Sequence, residues 1–498
     1  MEQLLKIGGR LTTKTGILII GLVIVAAVVL SISGLSPDQQ QTLLYTAQDY
    51  LPIFMFLTLA TLLFSGFPVA FILGGIALTF GLIGYFIDSF SLVEFFNFLP
   101  RAWGQAAENL VLVAVPAFVF MGIMMERSGI AQDLLYCVQV LLKRVPGALA
   151  LGVTIMGTIL AAMTGIIGAS VTMMTALALP TMLRQNYSKE LSTGVIAASG
   201  TLGILIPPSI MLIIMADLMS VSVGNVFMAA LLPGLVLAVF YLGYVIIRCT
   251  ITPSMAPPLP PGMLSVPKSE MRSLLLKAFI PPVFLIGLIK GGILTGFVTP
   301  SEAGSLGAFG ALVLAIANRR LGDGVLASVC HSAARTVAMI FYILICATCF
   351  AYVYRSLGGD DIVEHLILNA GLDSWGLLFL ILAIVFFLGF FLDWIEITLI
   401  VLPVFAPLVA SLDFGDHLPK EDITFWFITL MAINLQTSFL TPPFGFALFY
   451  LKGIAPKEIK IQHIYKGIIP FVILQLAALI VVIAYPQFAL YMMHAAYG

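Results

Sequence analysis

Two pairs of consecutive prolines lie in the middle of apolar runs and constrain the fold more than any other feature. Pro207-Pro208 lies within residues 203–209 (GILIPPS), and Pro442-Pro443 within residues 437–446 (TSFLTPPFGF). Proline lacks the backbone N–H of a helix and restricts the residue before it, so each pair predicts an interrupted helix. Inside a bilayer, interrupted backbone is tolerated only where protein or a water-filled cavity covers it. We therefore expect two discontinuous helices at a binding centre near the membrane midplane, as in secondary transporters.

The apolar runs are too extensive for a water-soluble fold. The chain is 61% hydrophobic and 9% charged over 498 residues, with a mean hydropathy of +1.11. Because a crossing needs about 20 apolar residues, this length predicts an all-α polytopic membrane protein with roughly ten or more crossings or hairpins. Continuous apolar runs argue against a transmembrane barrel, whose strands alternate.

Composition and motifs also narrow the class of function. The net charge is −1 and no basic stripe is present, so we expect no nucleic-acid partner. No zinc-ligand spacing, nucleophile elbow or P-loop occurs, so we expect no cofactor and no catalytic residues. A membrane-embedded enzyme remains a remote alternative, and it would need a nucleophile–base pair or metal ligands in a cavity.

The first fifty residues predict an extra element before the main body. Residues 17–32 are apolar and follow Lys6, Arg10 and Lys14. This pattern favours a retained transmembrane helix with a cytoplasmic N-terminus, followed by a periplasmic linker to residue 50. A cleaved signal peptide is the alternative, because the segment before the apolar run is basic.

The rest of the chain divides into two halves. Residues 51–249 form the first, residues 250–277 a proline-rich, semi-extended cytoplasmic linker, and residues 278–498 the second. Interfacial helices are predicted over residues 90–108 and 130–142, and another interfacial piece ending at Ala334 should precede a crossing over residues 336–354. Each half also contains a hairpin, with predicted arms 148–164 and 171–183 around a turn at 165–170, and 375–392 and 397–410 around a turn at 393–396.

Charge sign indicates that the two hairpins open to opposite sides. Basic residues, including Arg144 and Arg184, flank the first hairpin, whereas acidic residues, including Asp373 and Asp413, flank the second. Matched positions also recur at a nearly constant separation in the two halves: Arg127 with Arg355, Gly165 with Asp393, Ser199 with Asn434, and one proline pair with the other. We therefore predict an inverted repeat, the architecture that supports alternating access. Chance proline pairs are the alternative interpretation.

Oxygen-bearing residues and small residues cluster around both breaks. Neutral oxygens with at most one carboxylate suit Na⁺ better than a divalent cation, and half-helix ends can bind a cation or a carboxylate. The candidates for a first cation site are Thr164, Gly165, Ser170, Ser199, Gly203, Ile206 and Ser209. Those for a second are Asp393, Asn434, Ser438 and Thr441. Candidates for the substrate cavity are Thr201, Pro207, Pro208, Gln436, Pro442, Pro443 and Gly445.

A structural reading of these clusters stays open. The hydroxyls could bond to carbonyls of their own helices, and the glycines could serve packing alone. Asp393 and Glu396 are costly at a hairpin tip inside a membrane unless paired or hydrated. Our hypothesis is that one of them helps bind the coupling cation or gates the outer hairpin, and the alternative is contact with water at an open cavity.

Three motifs in the same order resemble the large membrane subunit, a DctM-type permease, of tripartite ATP-independent periplasmic (TRAP) transporters. They are residues 203–209, 291–303 and 434–445, and the resemblance covers about residues 51–485. It implies a sodium-driven elevator in the bacterial inner membrane, in which a transport domain moves against a scaffold. It also implies a small four-helix membrane subunit, a periplasmic substrate-binding protein and an organic-acid substrate. A stand-alone cation-coupled carboxylate transporter is the alternative, and hairpins opening to opposite sides argue against a channel.

The resemblance also implies sodium ligands. Position by position it suggests Thr164, Gly203, Ile206 and Ser209 for one site, and Ser438, Thr441, Phe444 and a hairpin residue near Asp393 for the other. This sequence has Ser438 where the family usually has glycine, and its second hairpin tip is acidic. In both departures the chain resembles a branch of the family that is associated with 2-oxo acids and related monocarboxylates. The extra N-terminal helix is expected to pack against the small subunit.

Overall fold

The structure, a computed structural model, describes residues 36–164, 167–257, 267–322, 324–443 and 445–497. All regular elements in these ranges are helical, and ten helices are long and apolar enough to cross a membrane. The count is eleven if the bent pair at residues 92–127 forms one span. The predicted all-α polytopic membrane fold is therefore confirmed. The predicted helix at residues 17–32 lies outside the described residues.

Within the described residues, eleven α-helices precede the linker. In chain order they are α1 (Pro37–Leu63), α2 (Val69–Phe86), α3 (Leu92–Phe96), α4 (Phe98–Ala106), α5 (Ala114–Arg127), α6 (Ile130–Leu141), α7 (Ala148–Thr164), α8 (Ile167–Arg184), α9 (Lys189–Thr201), α10 (Ile210–Leu218) and α11 (Val223–Ile251).

Eleven more follow it. They are α12 (Lys268–Leu274), which continues through a π-helical turn at Leu275–Phe279, then α13 (Ile280–Leu294), α14 (Pro300–Ala317), α15 (Val325–Ser356), α16 (Gly359–Ala370), α17 (Ser374–Leu388), α18 (Trp394–Ser411), α19 (Ile423–Leu440), α20 (Phe446–Ile454), α21 (Ile461–Ala484) and α22 (Pro486–Tyr497). Helix α22 was not predicted from the sequence.

Two stretches predicted as linkers are partly helical. Residues 37–50 form the first turns of α1, because Ser36 caps the helix reciprocally with Gln39 and Pro37 occupies the first turn, where its missing N–H costs nothing. These residues of the predicted periplasmic linker are therefore helical. Helix also resumes at Lys268, nine residues before the predicted end of the cytoplasmic linker.

The interfacial segments differ between the halves. The predicted helix at 90–108 is two short helices, α3 and α4, and residues 92–106 make an angle of 60° with residues 111–127. The predicted break near Ala334 is wrong, because α15 runs unbroken for 32 residues. Its sequence contains neither glycine nor proline, whereas the first-half segment contains Pro100 and Gly104.

Both hairpin turns are displaced from their predicted positions. In the first hairpin α8 begins at Ile167, so Ser170 lies in a helix and not in the turn. In the second hairpin the turn is 389–393, and Asp393 and Glu396 form a capping box at the start of α18. A carboxylate at the N-cap, with another three residues later, accepts backbone N–H groups that are otherwise unpaired, so these acidic residues start a helix.

The two halves interlock at the centre of the molecule. Each hairpin packs against the first part of the broken helix of its own half: α7 against α9, and α17 against α19. The second arm of each hairpin packs against the far part of the other half's broken helix: α8 against α20, and α18 against α10. Helices α9 and α21 cross closely at Gly194 and Gly467, where any side chain on either glycine would overlap backbone of the other helix. The first proline pair is therefore buried inside protein, whereas the second is only partly covered.

Candidate functional site

Both proline pairs interrupt helices, as predicted. Helix α9 ends at Thr201, a 3₁₀ turn covers Leu202–Ile204, and α10 begins at Ile210. In the second half α19 ends at Leu440 and α20 begins at Phe446. The Pro207-Pro208 and Pro442-Pro443 peptide bonds are both cis. Backbone carbonyls and N–H groups near these breaks are consequently released from regular helical pairing.

At the first break the polar groups are buried. The Ser209 hydroxyl donates to the carbonyl of Ile204 across the break, at 2.9 Å. Helix α8 packs on Gly200 through Val171, which brings the buried Ser170 into this neighbourhood. The Ser199 hydroxyl is buried and has no hydrogen-bond partner among the described residues.

The structure describes only some of the other candidates for the first cation site. Gly203 lies in the 3₁₀ turn, and Ile206 is 1% exposed just after it. Gly165 and the side chain of Thr164 lie outside the described part of the chain. The structure therefore brings Ser170, Ser199, Gly203, Ile206 and Ser209 to one buried region.

The second break is tied directly to the second hairpin. Asn434 Nδ2 donates to the carbonyl of Leu382 at 2.8 Å, and the Ser438 hydroxyl donates to the carbonyl of Phe386. The Thr441 hydroxyl donates to the carbonyl of Thr437 at 2.7 Å. Two predicted ligands, Asn434 and Ser438, thus contact α17, while Phe444 lies outside the described residues.

Gly389 lies at the end of α17 against Ser438, and no sequence pattern predicted it as a site residue. A Cβ atom on Gly389 would lie 2.3 Å from Ser438 Oγ and 2.8 Å from Ser438 Cβ. A glycine beside a proposed turn could have suggested this close approach, but a single sequence does not identify the partner.

One side-chain contact joins the two breaks. Gln436 Nε2 lies 3.5 Å from Thr201 Oγ1, and both residues are fully buried. The Gln436 Oε1 atom has no hydrogen-bond partner within the described ranges. Two of the residues predicted to line a substrate cavity therefore meet in a packed centre in this conformation.

The remaining cavity candidates differ in exposure. Pro207, Pro208 and Gly445 are buried, Pro442 is half-buried and Pro443 is exposed. The Tyr465 hydroxyl donates to the carbonyl of Pro443, which links α21 to the second break.

Asp393 and Glu396, the acidic residues at the tip of the second hairpin, cap the start of α18. Asp393 Oδ1 accepts from the N–H of Trp394 at 2.8 Å, and Glu396 Oε2 accepts from the N–H of Asp393 at 3.3 Å. Both side chains are half-buried. A role for Asp393 as a cation ligand stays a prediction, because these contacts account for the start of α18 without a cation.

A cavity of about 720 Å³ lies between the two hairpins, and no sequence pattern indicated it. Its walls include Thr172 of the first hairpin, Phe390 and Phe391 of the second, and Phe446 and Tyr450 of α20. Tyr450 lies over Gly168, near the first tip, where a Cβ atom would be 2.9 Å from the ring. This aromatic side chain is a further contact between a broken helix and the opposite hairpin.

Comparison with known proteins identifies the family. Residues 56–488 match the model described as "Tripartite ATP-independent periplasmic transporter, DctM component". The chain belongs to this DctM family. The matched range contains both hairpins, both breaks and the contact between Thr201 and Gln436.

Curated DctM-type relatives resemble the chain at low identity. It is 27% identical over 451 residues to the isethionate TRAP transporter permease protein DctMQ of Oleidesulfovibrio alaskensis, covering 89% of this chain and 66% of that protein. It is 26% identical over 392 residues to the C4-dicarboxylate TRAP transporter large permease protein DctM of Pseudomonas aeruginosa, covering 78% and 87%. It is 27% identical over 440 residues to the sialic acid TRAP transporter large permease protein SiaM of Vibrio cholerae, covering 86% and 95%.

A solved structure shares the fold. The YdaH transporter of Alcanivorax borkumensis matches with a TM-score of 0.54 and 14% identity, over 81% of this chain and 88% of that chain. At this identity the likeness concerns the fold alone.

Proposed function

We propose that this DctM-family chain is the large permease subunit of a sodium-driven importer of an organic acid. The observation that carries the proposal is the meeting of two broken helices, each packed against two hairpins, with Thr201 and Gln436 in contact between them. In this proposal Na⁺ binds near each break and the substrate binds between the breaks. The membrane is the bacterial inner membrane, with the N-terminus on the cytoplasmic side.

Oxygen chemistry supports a hard monovalent cation. Hydroxyls and released carbonyls surround both breaks, and the buried Ser199 hydroxyl and Gln436 Oε1 have no partner among the described residues. Neutral oxygens can replace the hydration of Na⁺ without the several carboxylates that a divalent ion requires.

The half-helices support an anionic substrate. Helices α10 and α20 begin directly after the breaks, at Ile210 and Phe446. The unpaired N–H groups and positive dipole end of a helix N-terminus favour a carboxylate. Relatives named for C4-dicarboxylates and sialic acid support the same substrate class.

Movement and partners complete the proposal. Two hairpins and two broken helices form a compact unit that moves as an elevator against a scaffold of the longer helices. A periplasmic substrate-binding protein delivers the organic acid, and a small four-helix membrane subunit stays with the scaffold. We propose both partners because relatives are named as permeases of TRAP transporters.

Uptake into proteoliposomes tests this proposal and the role of the acidic tip together. The chain is reconstituted with its small subunit and binding protein, and uptake of a labelled organic acid is measured with inward Na⁺ or K⁺ gradients. We expect uptake only with Na⁺ and only with the binding protein. Asp393→Asn should raise the Na⁺ concentration for half-maximal uptake about tenfold, while asparagine preserves the helix cap.

Three outcomes of the assay are informative. Equal uptake with K⁺ would contradict sodium coupling, and uptake without the binding protein would favour a stand-alone transporter. Normal uptake with unchanged Na⁺ dependence in Asp393→Asn would remove Asp393 from the cation site and leave its capping role.

A further inference from the structure

A large polar cavity is lined by residues that are distant in sequence from both helix breaks. Its volume is about 990 Å³, and its walls come from α6, the π-helical turn after α12 and the end of α14. Lys277, Arg319 and Arg320 line it together with the single carboxylate of Asp133. Three cations and one carboxylate leave an excess of two positive charges.

Only one of these three cations forms an ion pair with a described residue. Arg320 pairs with Asp133 at 3.2 Å, and both side chains remain partly exposed. Lys277 and Arg319 form no ion pair with any described residue. The cavity therefore offers two cations for an outside anion, with Tyr136 and Asn318 as neutral hydrogen-bonding groups beside them.

The backbone holds the cationic residues in place. Arg319 has a left-handed conformation with φ of 55°, and its N–H donates to the carbonyl of Ile316 while that of Arg320 donates to the carbonyl of Ala315. This arrangement ends α14 and costs a non-glycine residue conformational energy. Lys277 lies in a single π-helical turn, an irregularity that is frequent at functional sites.

The surroundings indicate a lipid. Arg319 and Arg320 follow directly on the apolar span of α14, and Lys277 lies near the start of the span Met271–Leu294, so all three lie where membrane-spanning helices meet the headgroup region. Below them α13 and α14 expose large apolar side chains, including Phe284 at 66% and Ile316 at 55%. An anion that enters this cavity thus has an apolar surface beside it for its chains.

We propose that this cavity binds the phosphate headgroup of an anionic phospholipid, with Lys277 and Arg319 as the principal ligands. Arg320, held by Asp133, borders the headgroup, and the acyl chains lie along α13 and α14. Basic pockets between transmembrane helices bind such headgroups through the same chemistry. The inference does not depend on the transported substrate or on the coupling ion.

Native mass spectrometry of the purified full-length chain tests the site by titration with phosphatidylglycerol and with phosphatidylcholine. We expect the chain to retain phosphatidylglycerol in preference to phosphatidylcholine. Each cation that is removed should weaken phosphatidylglycerol binding about fivefold, so Lys277→Gln with Arg319→Gln should weaken it about twenty-five-fold. Lys277→Arg with Arg319→Lys, which keeps the charges, should retain the preference.

A matched control removes two exposed cations elsewhere. Lys457→Gln with Lys466→Gln has the same change in net charge and should bind phosphatidylglycerol as the unchanged chain does. Equal loss in this control would show a general charge effect and overturn the site. Inorganic phosphate that displaces phosphatidylglycerol at low millimolar concentration would show a small-anion site and overturn the lipid assignment. Equal retention of both lipids by the unchanged chain would also contradict the proposal.

Discussion

Replacing Gly194 by leucine is expected to prevent the two halves of the chain from packing together. A Cβ atom at this position would lie 2.2 Å from the carbonyl oxygen of Gly467. A Cβ atom on Gly467 would in turn lie 2.1 Å from the carbonyl oxygen of Glu190 in α9. Backbone cannot rotate away as a side chain can, so α9 and α21 would have to separate. Overpacking of this kind costs roughly 1–3 kcal/mol or more. Because α9 carries Ser199 and Thr201, the first break should be disturbed as well.

The measurement is thermal unfolding of the detergent-purified protein, followed by tryptophan fluorescence. Gly194→Leu should melt well below the unchanged chain, and Gly194→Ala should show a smaller decrease. Gly243→Ala is the matched control, because no atom outside its own helix lies within 4 Å of the added methyl group. The control should melt at the same temperature or slightly higher, since alanine is favoured over glycine in helices by about 1 kcal/mol. Equal melting temperatures for Gly194→Leu and the control would contradict the close crossing.

Gly389→Ala is expected to damage the second break while leaving the fold intact. The new methyl group would overlap Ser438 Oγ, which donates to the carbonyl of Phe386. The hydroxyl would have to leave that carbonyl, and the Ser438 oxygen proposed for the second Na⁺ site would be displaced. Losing an interaction with a charged group costs about 1.5–3 kcal/mol, so the concentration of Na⁺ for half-maximal uptake should rise at least tenfold.

The second substitution in this experiment removes the obstacle. Ser438→Gly makes room for the methyl group, and glycine is the residue that the family resemblance leads us to expect at this position. Because the Ser438 hydroxyl is already absent in Ser438→Gly, adding Gly389→Ala to that variant should cause no further loss of Na⁺ affinity. Gly453→Ala in α20 is the control, because open space surrounds its added methyl group. A double variant with clearly lower Na⁺ affinity than Ser438→Gly alone would show that the steric contact with Ser438 is not the cause.

The sequence predicted the features that local chemistry determines. Proline pairs interrupt helices wherever they occur, so Pro207-Pro208 and Pro442-Pro443 located both breaks. Long apolar runs likewise predicted the crossings and both hairpins. The acidic tip was misplaced because Asp393 and Glu396 were read for their polarity, whereas they start α18 as a capping box.

Contacts between distant residues could not be predicted in the same way. Nothing local to Gly389 indicates Ser438, nothing local to Gly194 indicates Gly467, and nothing in α9 indicates that Thr201 meets Gln436. These contacts depend on how the two halves dock, which one sequence does not specify. The length of α15 is an intermediate case, since the absence of glycine and proline favours one helix but polar residues near its start suggested an interface.

Thermal unfolding of the purified chain over a range of NaCl or KCl concentrations, at constant ionic strength, tests the cation sites most directly. A ligand that binds only the folded chain stabilises it by about 2.7 kcal/mol at one hundred times its dissociation constant. We predict that Na⁺ raises the melting temperature and K⁺ does not, that Ser209→Ala and Thr441→Ala each reduce the effect, and that both together abolish it. The same melting temperature in Na⁺ and K⁺, or a sodium effect that survives both substitutions, would contradict cation binding at the two helix breaks.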